Sequence, residues 1–165
     1  MSRATPATEA GRARFSVRRL TSADLALVEA MMTTFGEAFG DLDTYTAARP
    51  GAAYLRRLLD RDDVIALAAV AGGTVVGGLA AYELHKLERE RSEIYIYDLA
   101  VAAAHRRRGI ATALIAELRA IAAARGAHTI FVQADRGDGP AIALYTRLGT
   151  REDVLHFDIA PSSPA

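Results

Sequence analysis

The chain has 165 residues, 51% hydrophobic and 24% charged, which is ordinary for a globular domain with its own core. Its 20 basic and 20 acidic side chains cancel, so global charge gives no argument for nucleic-acid binding. The absence of cysteine excludes disulfides, a thiolate nucleophile and cysteine-ligated zinc. No apolar run approaches the roughly 20 residues of a membrane span. We expect a cytoplasmic protein with a disordered leader (1–14), one domain (15–160) and a short tail (161–165).

The first part of the chain predicts a short strand and two helices. Residues 15–20 are typical of a strand, and residues 51–60 carry apolar side chains at helical spacing. Between them lies a helix that we expect to break at Gly36 and Gly40. Its predicted apolar face consists of Leu25, Val28, Met31, Met32 and Phe35.

Four carboxylates and no lysine or arginine lie between positions 29 and 43. They are either a solvated, acidic helix end or a cluster that attracts a cationic ligand, and the sequence favours neither reading. Glu37, Asp41 and Asp43 are therefore candidates for substrate binding.

Two strands, 64–71 and 74–84, are predicted to form a hairpin through Gly72-Gly73, because a two-residue turn of this kind needs positive φ. Gly77-Gly78 inside the second strand predicts a bulge or a close approach of backbone. The central strand follows at 94–101, where β-branched and aromatic residues dominate.

Three arginines and a glycine, Arg106, Arg107, Arg108 and Gly109, separate the central strand from an alanine-rich helix at 110–124. The first N–H groups of a helix have no intrahelical partner, and the helix dipole adds partial positive charge there. A solvated arginine cluster is the alternative, but cations at this end oppose the dipole unless an anion binds. The pattern therefore indicates a phosphate site.

The rest of the chain predicts a strand at 128–134, a helix that starts at Gly139-Pro140 and ends at Gly149, and a last strand at 154–159. The alternation of strands and helices predicts an α/β fold, a mixed sheet with helices packed on it.

Arg106-x-x-Gly109-x-Ala111, after a strand that ends Leu99-Ala100-Val101, resembles the acetyl-CoA pyrophosphate loop of the GCN5-related N-acetyltransferases, the GNAT superfamily. The segment AIALYTRLG resembles the late helix of that superfamily, whose tyrosine points toward the coenzyme sulfur. Asp138 and Thr150 depart from the usual asparagine and phenylalanine. The resemblance implies a mostly antiparallel sheet of about six to seven strands flanked by about four helices. It also implies that acetyl-CoA is bound by Leu99, Ala100, Val101, Arg106, Arg107, Arg108, Gly109, Ile110, Ala111, Thr112, Asp138 and Tyr145.

A more specific resemblance covers most of the chain. The segments FGEAFGDLDTY, RSEIYIYDLAV, HRRRGIATALI and ALYTRLGTRED are similar to those of the small aminoglycoside 3-N-acetyltransferases that confer gentamicin resistance. This resemblance implies acetyl transfer from acetyl-CoA to the 3-amine of gentamicin-type drugs. A homodimer is a further expectation from the superfamily.

Acetyl transfer to an amine needs a base and an acid, and the lack of cysteine favours direct attack in a ternary complex. Asp98 interrupts an apolar strand, so we predict that it serves as base or amine anchor. The alternative is an aspartate that caps a bulge or pairs with an arginine. Glu83 is the second candidate. Tyr145 is the candidate acid, because a phenol stays protonated at neutral pH; its alternative is helix packing.

We expect carboxylates to bind the amine acceptor, because they suit a polycationic amine. The predicted substrate-binding residues are Glu37, Asp41, Asp43, Glu83, Asp98 and Asp135. A peptide amine or another small polyamine is an alternative acceptor, and a non-catalytic acetyl-CoA sensor or a plain interaction domain is an alternative function. The four histidines are scattered, so we expect no metal site.

Overall fold

The protein is described by a computed structural model that covers residues 15–162. The predicted leader (1–14) and the last three residues lie outside this range. The described chain divides after Gln133 into two compact units. None of the helices in residues 15–162 has the length and apolar character that a membrane crossing requires.

The first unit is a five-stranded sheet with helices on both faces. Its strands lie in the order β1-β2-β3-β4-β5, and every neighbouring pair is antiparallel except β4 and β5. The strands are β1 (Ser16–Arg19), β2 (Val64–Ala71), β3 (Thr74–His85), β4 (Ser92–Val101) and β5 (Ile130–Val132). The helices are α1 (Leu25–Phe39), α2 (Ala52–Leu59) and α3 (Ile110–Arg125), with a π-helical turn (Asp43–Ala47) and a 3₁₀ turn (Ala103–His105).

The two glycines inside β3, Gly77 and Gly78, let a helix pack closely on each face of the sheet. A Cβ at Gly78 would collide with Met31 of α1, and a Cβ at Gly77 would lie 3.0 Å from Ile110 Cγ2 of α3. The predicted close approach is therefore confirmed. It also shows that α1 covers the face of Gly78, whereas α3 covers the opposite face.

The hairpin between β2 and β3 forms as predicted, with φ of +56° at Gly72 and +81° at Gly73. The expected break of α1 at Gly36 is wrong, because the helix runs through this residue to Phe39. A Cβ at Gly36 would lie 3.1 Å from Leu42 Cα and 3.2 Å from Tyr45 Cβ. Gly36 thus serves the packing of the next turn, and Gly40, in the left-handed conformation, ends the helix as expected.

A β-bulge interrupts the pairing of β3 with β4. Ala80 pairs with Asp98 and Ala81 with Ile96, so Tyr97 is the extra residue. In an unbroken strand, Asp98 would lie on the face opposite to Tyr95. The bulge instead brings Asp98 to the α1 face, the face that carries Tyr82 and Tyr95.

The second unit contains one helix, α4 (Gly139–Thr146), which Pro140 and the Asp138 cap start. The expected sixth strand at 154–159 is wrong, since these residues have no regular secondary structure. The large apolar side chains of this segment are exposed rather than half-buried: Val154, Leu155, Phe157 and Ile159. A strand needs a hydrogen-bonded neighbour, and the described part of this unit contains none. Within residues 15–162 the sheet therefore has five strands instead of the expected six to seven.

Candidate active site

The loop between β4 and α3 has the geometry of an anion site. Arg107 and Gly109 both have positive φ, +60° and +81°, and Gly109 occupies the N-cap position of α3. The side chains of Arg106, Arg107 and Arg108 are exposed, and no acidic residue lies in the first turn of the helix. The free N–H groups of a 16-residue helix and three guanidinium groups therefore fit a pyrophosphate.

The second half of β4 offers backbone for an extended ligand. β5 pairs with Ile94–Ile96 only, and beyond Ile96 no described strand pairs with this edge of β4. Leu99, Ala100 and Val101, which were predicted to contact the coenzyme, lie along this stretch. Such an edge can accept the amides of a pantetheine arm as an added strand.

Asp98 lies half-buried beside this edge, on the α1 face. Burial raises the pKa of its carboxyl, and a hydrogen bond from the Tyr45 hydroxyl partly offsets that rise. The distance from Tyr45 Oη to Asp98 Oδ1 is 2.8 Å. None of the ion pairs within residues 15–162 includes Asp98. The partner of Asp98 is therefore Tyr45 and not an arginine, which was the predicted alternative. A carboxylate in this state can accept a proton or hold an ammonium group.

Four aromatic rings on β3, β4 and β5 form a continuous series, which we call the aromatic strip: Tyr82, Tyr97, Tyr95 and Phe131. The Tyr82 and Tyr97 centroids are 5.9 Å apart, those of Tyr97 and Tyr95 5.7 Å, and those of Tyr95 and Phe131 4.9 Å. Tyr97, the bulge residue, is 63% exposed. The strip thus presents ring faces and edges to a ligand that reaches Asp98.

Three of the predicted acceptor carboxylates come together at the C-terminal end of α1. Glu37, Asp41 and Asp43 line a shallow cavity of about 310 Å³. The Asp41 carboxylate accepts hydrogen bonds from Thr44, which hold the pKa of Asp41 below its ordinary value. The cavity wall therefore carries negative charge at neutral pH.

Glu83 is not part of this group. It pairs with Ile94 in the sheet and faces α3, whereas Asp98 faces α1. Arg125 Nη1 lies 2.6 Å from Glu83 Oε2, and the Ser92 hydroxyl donates to Oε1. Burial raises the pKa of Glu83, but the hydrogen bonds and the charge of Arg125 outweigh it and lower the pKa overall. Glu83 therefore lies on the opposite face of the sheet from Asp98 and is held in an ion pair.

The remaining predicted residues belong to the second unit. Tyr145 is half-buried on α4, and burial, followed by the charge of Asp138, raises the pKa of Tyr145 to about 12. The Asp138 carboxylate caps α4 by accepting from Ala141 N at 3.0 Å. Asp135 is exposed, and its carbonyl accepts from Asp138 N. The described residues contain no group of three or more His, Asp or Glu that could hold a metal ion.

Sequence reasoning missed Tyr45 and most of the aromatic strip. Tyr45 comes 53 residues before its partner Asp98, and no local pattern joins the two. The only signal was an aromatic residue directly after an acidic segment that contains two glycines. Tyr82 and Tyr97 follow the strand pattern of any half-buried sheet, so their convergence depends on the bulge.

Comparisons with known proteins agree with this geometry. The model of the acetyltransferase (GNAT) family matches residues 26–150. A comparison with curated protein sequences found no match.

Solved structures give a more detailed likeness. A crystal structure of an aminoglycoside acetyltransferase from an uncultured soil metagenomic sample is 63% identical, with a TM-score of 0.89, over 90% of this chain and 99% of that one. Another, from a soil metagenomic sample and in complex with sisomicin, is 28% identical, with a TM-score of 0.82, over 90% and 97% of the two chains. Aminoglycoside N-acetyltransferase AAC(6')-Iy in complex with CoA, at 16% identity and a TM-score of 0.71 over 90% and 95%, shares the fold. The resemblance to the GNAT superfamily is confirmed, and the chain belongs to the GNAT family of acetyltransferases.

Proposed function

We propose that this protein transfers the acetyl group of acetyl-CoA to the 3-amine of a gentamicin-type aminoglycoside, and thereby gives resistance to the drug. The observation that carries the proposal is the position of Asp98. Its half-buried carboxylate lies directly before Leu99–Val101, the free stretch of β4 on which we place the pantetheine arm. A base at that point is next to the thioester.

The arginine loop supports the coenzyme half of the proposal. The exposed guanidinium groups of Arg106, Arg107 and Arg108 would hold the pyrophosphate together with the N–H groups of Gly109–Thr112. We assign no metal, because amide formation from a thioester needs only a base, an acid and a polarised carbonyl.

The acidic cavity and the aromatic strip support the acceptor half. An aminoglycoside is a chain of rings with several ammonium groups, so carboxylates and aromatic faces both suit it. Glu37, Asp41 and Asp43 would attract the cationic rings, and Tyr97 would contact a ring face. The soil enzyme bound to sisomicin supports the same class of acceptor.

The reaction balances with the residues assigned. The neutral amine attacks the thioester carbonyl, the C–N bond forms, and the C–S bond breaks. The amine proton passes to Asp98, directly or through one water, and the raised pKa of Asp98 makes it a better base. Tyr145 is the proposed donor to the departing thiolate, since its pKa of about 12 keeps it protonated at neutral pH.

Two further parts of the proposal concern the oligomeric state and the cellular location of the enzyme. A homodimer is supported by the exposed apolar side chains at 154–159, which a second copy could cover. We place the enzyme in the cytoplasm, where acetyl-CoA is available.

The test is coenzyme A release from acetyl-CoA with gentamicin, kanamycin, spermidine or a lysine-rich peptide as acceptor. We expect release with gentamicin. Release with spermidine or the peptide alone would keep the acetyltransferase and replace its acceptor. Coenzyme binding without release to any acceptor would favour a sensor and contradict the proposal.

A further inference from the structure

The Tyr45 ring packs against two aromatic residues of α1, Phe35 and Phe39. It packs edge-on against Phe35, with centroids 6.0 Å apart, and lies 5.7 Å from the Phe39 ring. Gly36 lets the π-helical turn rest directly on α1, because any Cβ there would press on Leu42 and Tyr45. The direction of the Tyr45 hydroxyl is therefore determined by packing rather than by its hydrogen bond alone.

The hydroxyl of Tyr45 donates to Asp98 Oδ1 at 2.8 Å. Four other titratable groups interact electrostatically with Tyr45 or Asp98. They are Asp41 after α1, Tyr82 on β3, and Tyr95 and Tyr97 on β4. None of these is a cation. Within residues 15–162, Tyr45 is thus the one side chain whose hydrogen bond favours the charged form of Asp98.

We propose that Tyr45 is the positioning residue of Asp98: it fixes Oδ1 and leaves Oδ2 free for the incoming amine or its water. This inference rests on the proposed function, in which Asp98 takes the amine proton. Tyr45 itself exchanges no proton. Burial, followed by the hydrogen bond to Asp98, raises the pKa of the phenol far above its ordinary value, so it remains a donor.

The hydrogen bond has a consequence that mere packing lacks. It stabilises the carboxylate and not the carboxylic acid, so it lowers the pKa of Asp98 against the effect of burial. Loss of the hydroxyl should therefore raise that pKa further.

The test is Tyr45→Phe, which keeps the ring against Phe35 and Phe39 and removes the donor. We expect the acidic limb of the pH profile of kcat/KM to move to higher pH, because Asp98 loses the donor that favours its charged form. The matched control is Tyr54→Phe, which removes the hydroxyl of an exposed tyrosine on α2. In the control the limb should stay at its wild-type position. An acidic limb at the same pH in the wild type and in Tyr45→Phe would overturn the proposal.

A second measurement separates this inference from the proposed function. The pKa of Asp98 can be read from its ¹³C-labelled carboxyl group by NMR in the free protein, with Asp98→Asn to assign the signal. We expect a higher value in Tyr45→Phe even if no aminoglycoside is acetylated. An unchanged value, in a variant with the wild-type melting temperature, would contradict the role of Tyr45 whatever the acceptor is.

Discussion

Asp98 is an acid in an apolar strand, and three features of its surroundings determine its chemistry. The bulge at Tyr97 brings Asp98 to the α1 face, burial raises its pKa, and Tyr45 holds one of its oxygens. The sequence pattern predicted the unusual acid, because a carboxylate among Ile, Tyr and Leu needs a partner. It could not predict that partner, since the contact with Tyr45 depends on how α1, Gly36 and the following turn pack.

Asp98→Asn tests the residue as base. An amide cannot accept the amine proton, so we expect kcat/KM with gentamicin to fall roughly 10²- to 10⁴-fold. Coenzyme affinity, measured by calorimetry, should change little. Asp60→Asn, on an exposed residue at the end of α2, is the matched control and should keep wild-type turnover. Wild-type turnover in Asp98→Asn would remove Asp98 from the chemistry.

Among the elements, those with strong local signals were predicted well. Gly72-Gly73 gave the hairpin, the alanine-rich run gave α3, and Gly77-Gly78 gave the close packing of both helix layers. The errors came from non-local causes. The alternation at 154–159 carries no information on whether a neighbouring strand is available, and Gly36 has the same local pattern whether it breaks a helix or receives a packed turn.

The ion pair of Glu83 with Arg125 joins β3 to the end of α3, and Ser92 adds β4. We expect Glu83→Gln to lower the free energy of unfolding by about 1–3 kcal/mol, because the half-buried Arg125 loses its counter-charge. Turnover at a temperature well below the melting point should be unaffected. Glu90→Gln, on an exposed residue, is the control.

The pH dependence of this effect has a definite sign. The folded protein lowers the pKa of Glu83 from its ordinary 4.5, so the stabilisation is fully present above pH 4.5 and is lost as the pH falls below it. The difference in melting temperature between the wild type and Glu83→Gln should therefore shrink in acid. A difference that stays constant from neutral pH to pH 3 would show that the ion pair is not its cause.

Across the molecule, a net charge of zero conceals a separation of charge. The carboxylates of Glu37, Asp41 and Asp43 gather at one cavity, while three arginines gather at the start of α3. A bisubstrate enzyme with an anionic coenzyme and a cationic acceptor needs this arrangement, because each charged patch attracts one substrate and repels the other. Total composition could not reveal it, but the order of the residues could, because the carboxylates and the arginines each lie close together in the sequence.

Replacement of Arg106 and Arg108 by alanine tests that separation. We expect the Kd for acetyl-CoA to rise roughly ten- to a hundredfold, because charge-assisted contacts with the pyrophosphate are lost. Aminoglycoside binding should change by less than about twofold. Arg119→Ala, an exposed arginine later in α3, is the matched control. Equal losses for both ligands would contradict the phosphate site.

The most direct test of the proposed function is to isolate the gentamicin product and to locate the new acetyl group by NMR. We predict one acetyl group on the 3-amine, with one equivalent of coenzyme A released. Acetylation of a different amine would contradict the proposed orientation of the acceptor at Asp98. Recovery of unmodified gentamicin, with acetyl-CoA bound, would contradict the assignment of this protein as an aminoglycoside acetyltransferase.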